Sequence, residues 1–154
     1  MTIAEQLNFI ADALKPWAEE TKTRVEIALD PLHVIGLIST APGAARVILM
    51  FDGEDKRGEF EETGRVDRKF LLVVSRGRGL TLQPGDALTQ GVAGGKPLYD
   101  LIEEAREMVR ALRFEEAESI PNYLATRRLT LGDNLVDAYQ IEFSIGTQLP
   151  EQLQ

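Results

Sequence analysis

Pro97-Leu98-Tyr99-Asp100-Leu101-Ile102-Glu103-Glu104-Ala105-Arg106-Glu107-Met108-Val109-Arg110-Ala111-Leu112-Arg113-Phe114 is the stretch on which the fold class turns. Leu98, Leu101, Ile102, Ala105, Met108, Val109 and Leu112 recur at spacings of three and four, so they form one apolar stripe on a helix, with Asp100, Glu103, Glu104, Glu107 and Arg110 largely opposite. Pro97 suits a first helical position. Acids gather in the early turns and Arg106, Arg110 and Arg113 towards the end, which complements the helix dipole. Burying the large side chains of the stripe at roughly 1.5 to 3 kcal/mol each makes this helix the expected centre of the core.

Immediately before it, residues 76–96 form a glycine-rich connection, long enough to be a functional loop or one that orders on binding. Upstream of that, Val66 to Ser75 reads as a strand, with Phe70, Leu72 and Val74 on one face and Leu71 and Val73 on the other. Both sides of its inner half need cover, from helices on one side and a layer that a neighbouring copy could supply on the other. Residues 52–65 are polar with three glycines and predict a long hairpin connection or projecting arm. Arg46 to Phe51 is a continuous apolar run suited to a strand covered on both faces.

The chain opens with Thr2 and Glu5 in a capping-box spacing, followed by a stripe of Ile3, Leu7, Ile10, Ala11 and Leu14 that Pro16 is expected to stop. Trp17 then either covers the end of that stripe or meets another chain. Val25, Ile27 and Leu29 alternate with Arg24, Glu26 and Ala28, a short strand with one buried face. Residues 33–38 are apolar but ambiguous, and 39–43 predict a loop. Downstream of the central helix, 115–121 is an acidic linker and Tyr123 to Leu131 a strand; Gly132-Asp133-Asn134 then makes a turn. The last strand sets Tyr139, Ile141, Phe143 and Ile145 against Ala138, Gln140, Glu142 and Ser144. This order predicts a single α+β domain over residues 1–154, with an antiparallel or mixed β-sheet, helices packed on one face and a long β-hairpin arm.

Composition narrows the function. A 154-residue chain with a formal charge of −8 opposes sequence-independent phosphate binding over its whole surface. It contains no cysteine, which excludes disulfides and thiolate chemistry. No apolar run approaches a membrane span and no secretory leader is recognisable, so a cytosolic site of synthesis is expected. His33 is the single histidine, set among Leu32, Val34 and Ile35, and reads as structural. Asp52-Gly53-Glu54-Asp55 lacks the spacing of a calcium loop, and Gly91-Val92-Ala93-Gly94-Gly95-Lys96 lacks the hydroxyl residue of a phosphate loop. Arg76-Gly77-Arg78 and Arg127-Arg128 carry no interleaved aromatics and fit acidic patches on another subunit better than nucleic acid. The neighbouring acids Glu61 and Glu62, and Glu103 and Glu104, sit on expected surfaces. No enzymatic constellation, metal site or cofactor site is expected.

The N-terminal amphipathic helix, the apolar strand ending in Phe51-Asp52-Gly53-Glu54, the strand Phe70-Leu71-Leu72-Val73-Val74, the glycine-containing loop, the Pro97 to Arg106 helix and the closing Tyr139-Gln140-Ile141-Glu142-Phe143-Ser144 together resemble the tail terminator proteins of long-tailed bacteriophages, especially the family of Mu-like phages and prophages. The resemblance implies an α+β subunit that forms a hexameric ring on the tail tube. That ring stops tube polymerisation and offers a docking surface to the head–tail connector protein, while DNA passes through the lumen without specific binding. Partners would be further copies of the chain, the tail tube protein and the connector, with no membrane; the location would be the virion, after assembly in the bacterial host cytoplasm. Loop position and chemistry nominate Trp17, Glu54, Arg57, Phe60, Arg76 and Arg78 as interface residues. Another neck or tail component, such as a head-completion or tube protein, is the alternative within that class. A small-molecule or peptide-binding module with the glycine-rich loop as lid is the alternative outside it.

Overall fold

The computed structural model describes residues 1–40, 45–56, 64–77, 86–89, 96–114, 120–130 and 136–149. Their order is α1 (Ile3–Thr21), β1 (Thr23–Ala28), α2 (Pro31–Thr40), β2 (Ala45–Lys56), β3 (Arg65–Gly77), a single turn α3 (Asp86–Thr89), α4 (Leu98–Ala111), β4 (Pro121–Leu129) and β5 (Val136–Gln148). The five strands make one mixed sheet in the order β1-β2-β3-β5-β4, an α+β arrangement. β1 runs parallel to β2, which requires a crossover, and α2 is that crossover; every other neighbouring pair is antiparallel.

Period-two alternation in β2, β3 and β5 divides the core into two layers. On one face Val47, Leu49, Phe70, Leu72, Val74, Ile141, Phe143 and Ile145 pack beneath α1 and α4, where Ile10, Leu14, Leu98, Leu101 and Ala105 are buried. On the other, Ile48, Met50, Val73 and Ala138 pack against Val34 and Ile38 of α2. The two long helices therefore share one face, as expected, but α2 lies on the opposite one. The second layer that β3 needs comes from the chain itself, and no neighbouring copy is required to supply it.

α1 begins with the capping box: Glu5 N–H donates to Thr2 Oγ1 and Thr2 N–H to Glu5 Oε2, at 3.1 and 2.8 Å. It does not stop at Pro16. Trp17, Ala18 and Thr21 carry its buried stripe one turn further. The carbonyl of Asp12 that Pro16 cannot bond belongs to an exposed stretch of the helix where water can reach it, so packing outweighs the proline's penalty of about 3 kcal/mol. The helix closes on Lys22, which adopts a left-handed φ of 55° and returns its N–H to Ala18 and Glu19.

Two further expectations change. Residues 33–38 are helical because Pro31 opens α2 and Asp30 caps it, its Oδ1 accepting from His33 N–H at 2.8 Å. The long polar connection is shorter than its composition suggests, because β2 continues to Lys56 and β3 starts at Arg65. A bulge at Asp52 lets the ladder run on into solvent, with Gly53 at φ 129° supplying a conformation that side-chain-bearing residues rarely adopt. Lys69 braces this outer part with a 2.7 Å ion pair to Asp55, a bond that also raises the lysine's pKa. The turn expected at Gly132-Asp133-Asn134 lies outside the described residues.

Leu101 is wholly buried on the sheet-facing side of α4. Leu101→Ala is expected to lower unfolding free energy by about 2 to 5 kcal/mol in urea denaturation, whereas Thr2→Ala, which removes only the cap, should lower it by about 1 kcal/mol.

Candidate functional site

The six nominated residues separate into three groups. Trp17 and Arg76 are interior, 8% and 5% exposed, so both side chains are turned into their own subunit. They belong to one network. Trp17 Nε1 donates to Glu104 Oε1 at 3.4 Å, Lys96 Nζ donates to the same oxygen at 2.7 Å, and Arg76 Nη1 donates to the Lys96 carbonyl. Arg76 sits in register opposite buried Asp137, and burial depresses the guanidinium's pKa. The Glu104 hydrogen bond raises that of Lys96. This network fastens α1, β3 and the entry of α4 to one another. Its role is internal.

Glu54 belongs to a second network. The bulge at Asp52 returns Glu54 to the face that bears α1 and α4, where its Oε2 accepts from Arg68 Nε at 3.2 Å. Arg68 Nη1 also donates to Gln6 Oε1 at 3.0 Å and to the Met1 carbonyl at 2.8 Å, and Gln6 Nε2 donates to Thr147 Oγ1 at 2.9 Å. Gln6, Arg68 and Thr147 are all buried, so the start of α1 is held to the sheet by polar groups that satisfy one another. Arg57, Phe60 and Arg78 lie outside the described residues.

What loop-based reasoning missed is at the two margins of the sheet. Among the described residues, β1 pairs only with β2 and β4 only with β5, so each presents one open edge. β1 was expected to bury Val25, Ile27 and Leu29 together, yet only Val25 reaches the core. An edge strand has no neighbour on its outer side, so Ile27 is 40% exposed and Leu29 86%. Leu32 and Ile35 are exposed on α2 just beyond. At the opposite margin Ile120, Tyr123 and Leu124 are exposed, and the ladder is irregular between Tyr123 and Ala125, with Leu124 at the irregularity. Arg106 lies 6.0 Å above the Tyr123 ring. An unpaired edge beside large exposed apolar side chains offers another protein both backbone hydrogen-bonding groups and apolar area. The available signal was the failure of Leu29, Leu32 and Ile35 to share one face with Val34 and Ile38.

The remaining motifs have local partners. His33 Nδ1 accepts from Leu29 N–H at 3.0 Å, a cap for α2. Arg127 Nε pairs with Glu142 at 2.8 Å, and Arg128 lies 3.9 Å from Asp137. Among the described residues no group of three or more His, Asp or Glu is placed to hold a metal ion, and no helix is long and apolar enough to cross a membrane. The phosphate-loop-like run before Lys96 is outside the described residues, as are Glu61 and Glu62. Compared with protein-family models and with curated proteins, the chain finds no match in either.

Because they contact little of their own subunit, Leu29→Ser and Leu32→Ser should each leave the urea midpoint of the isolated chain unchanged within about 0.5 kcal/mol. A loss on the scale expected for Leu101→Ala would mean that these residues are already covered.

Proposed function

We propose that this chain is a structural virion protein, a tail terminator whose copies form a ring on the tail tube, stop its polymerisation and join it to the head connector. The observation that carries the reading is the pair of open sheet edges, each lined by exposed apolar residues, at opposite ends of one sheet. A subunit with one such margin would be served by a two-fold dimer. Two different margins favour head-to-tail association, which closes into a ring when the rotation between copies closes. The order of elements supports the same reading, since the N-terminal helix, the two apolar strands, the Pro97 to Arg106 helix and the closing strand that carry the resemblance to tail terminators are α1, β2, β3, α4 and β5. The formal charge of −8 suits a lumen through which DNA must slide without adhering.

α2 packs on the second apolar face of β3, so the surfaces left for neighbouring copies are the two sheet margins.

Light scattering during size exclusion, run as a concentration series with negative-stain images of the largest species, is expected to give a closed ring of about six copies. Purified tail tubes mixed with the chain should acquire a cap at one end and cease to lengthen. A monomer at every concentration, together with uncapped tubes that continue to grow, would overturn the proposal.

A further inference from the structure

The two margins are complementary in position as well as in kind. Successive pairings across the sheet place Glu26 level with Ile48, Val73, Gln140 and finally Arg127. By the same route Ile27 is level with Thr126, and Ala28 with Ala125. One step further along, just past the last paired residue of β1, Leu29 follows at the level of Tyr123, and Leu124 is the extra residue at the irregularity between Tyr123 and Ala125. β1 runs with β2 and β5, and β4 against them, so the two outer strands are antiparallel.

From this we infer that a second copy of this chain docks its β4 margin against β1, antiparallel and without slip, with Glu26 meeting Arg127 and Leu29 meeting the irregularity where Leu124 stands out beside Tyr123. The inference rests on the ring-forming reading and assigns its seam. Charge and apolarity select the same alignment. Glu26 and Arg127 project to the α2-bearing face, since each shares it with a ladder partner there, Ile48 and Gln140 respectively. The carboxylate of Glu26 is 24% exposed beside Arg46, and the Arg127 side chain is 68% exposed beside Glu142, so docking brings an acid–base pair beside each of these charges. The residues 120–130 contain Arg127 and Arg128 and no acid, while the approach from β1 to α2 carries Glu26 and Asp30. A slip of two residues along β1 would set Arg24 against Arg127 and withdraw Leu29 from Leu124. Association of β1 with β1, or β4 with β4, would leave one apolar margin uncovered. The occupant is therefore a copy presenting the other edge.

The absence of cysteine makes the seam directly testable in the 154-residue chain. Residues directly opposite in an antiparallel pair have Cα atoms about 4.5 to 5.5 Å apart, and Leu124 adjoins the residue at the level of Leu29, so the two come within the reach of a disulfide. Leu29→Cys and Leu124→Cys are both exposed sites, and an unchanged urea midpoint under reducing conditions would establish that the variants fold. Under mild oxidation, with and without tail tubes, the chain carrying both substitutions should form a covalent ladder that ends at the ring size. An equal mixture of the two single variants should form dimers, and each single variant alone should form none. Leu29→Cys mixed with Thr130→Cys, a position at the far end of the β4 margin, should also form none.

Disulfide dimers from a single variant alone, or from the Leu29 and Thr130 mixture, would overturn the seam. Rings seen by light scattering without any Leu29 to Leu124 bond would overturn it too, while leaving the ring-forming reading intact. Monomers under every condition, with tubes left uncapped, would overturn both.

Discussion

The structure depends on burying β3 from both sides. Phe70, Leu72 and Val74 face α1 and α4, Leu71 and Val73 face the α2 side, and β2 and β5 occupy its two hydrogen-bonding edges. From Leu72 to Arg76 every side chain of this strand is buried, and the surrounding elements are arranged to meet that demand. The crossover through α2 makes β1 parallel to β2. Without it Ile48, Met50 and Val73 would lie bare, and the sheet would have one dry face instead of two.

Periodicity made the elements with a long apolar stripe legible. α4, the capped start of α1, the apolar half of β2, the length of β3 and the alternation of β5 all follow from spacing alone, because a one-residue slip would turn a whole row of side chains out of the core. Pro16 and residues 52–56 misled for a common reason: local propensity argued for a break, while contacts distant in sequence continued the element. Trp17 and Ala18 continue α1, and pairing with β3 continues β2. The helical state of 33–38 was hidden by a cap divided between Asp30 and the His33 ring, a device that no apolar pattern registers.

The functional reading of individual side chains was less legible. A charge in a loop is an economical choice of interface residue, but Glu54 and Arg76 lie on strands and hold their own subunit together. Their partners, Arg68 and the Lys96 carbonyl, become neighbours only once the sheet exists. The exposed leucines had the opposite fate, since an alternating strand pattern predicts burial without indicating whether the strand will be an outer one. Edge position depends on topology, and topology depends on where the final strand inserts.

That insertion governs how the chain reaches its fold. β5 is the latest described strand in sequence and yet lies between β3 and β4, and Thr147 near its end holds Gln6 near the beginning. On a ribosome, the N-terminal helix and the first hairpin emerge with the β5-facing edge of β3 open and Phe70 and Leu72 lacking Phe143 and Ile141. Closing so distant a contact is slow, and the nascent chain carries its most aggregation-prone edge for the whole interval. Newly made copies therefore expose the β5-facing edge of β3 as well as the outer margins, and those that have closed β5 into place keep only the margins of β1 and β4 open.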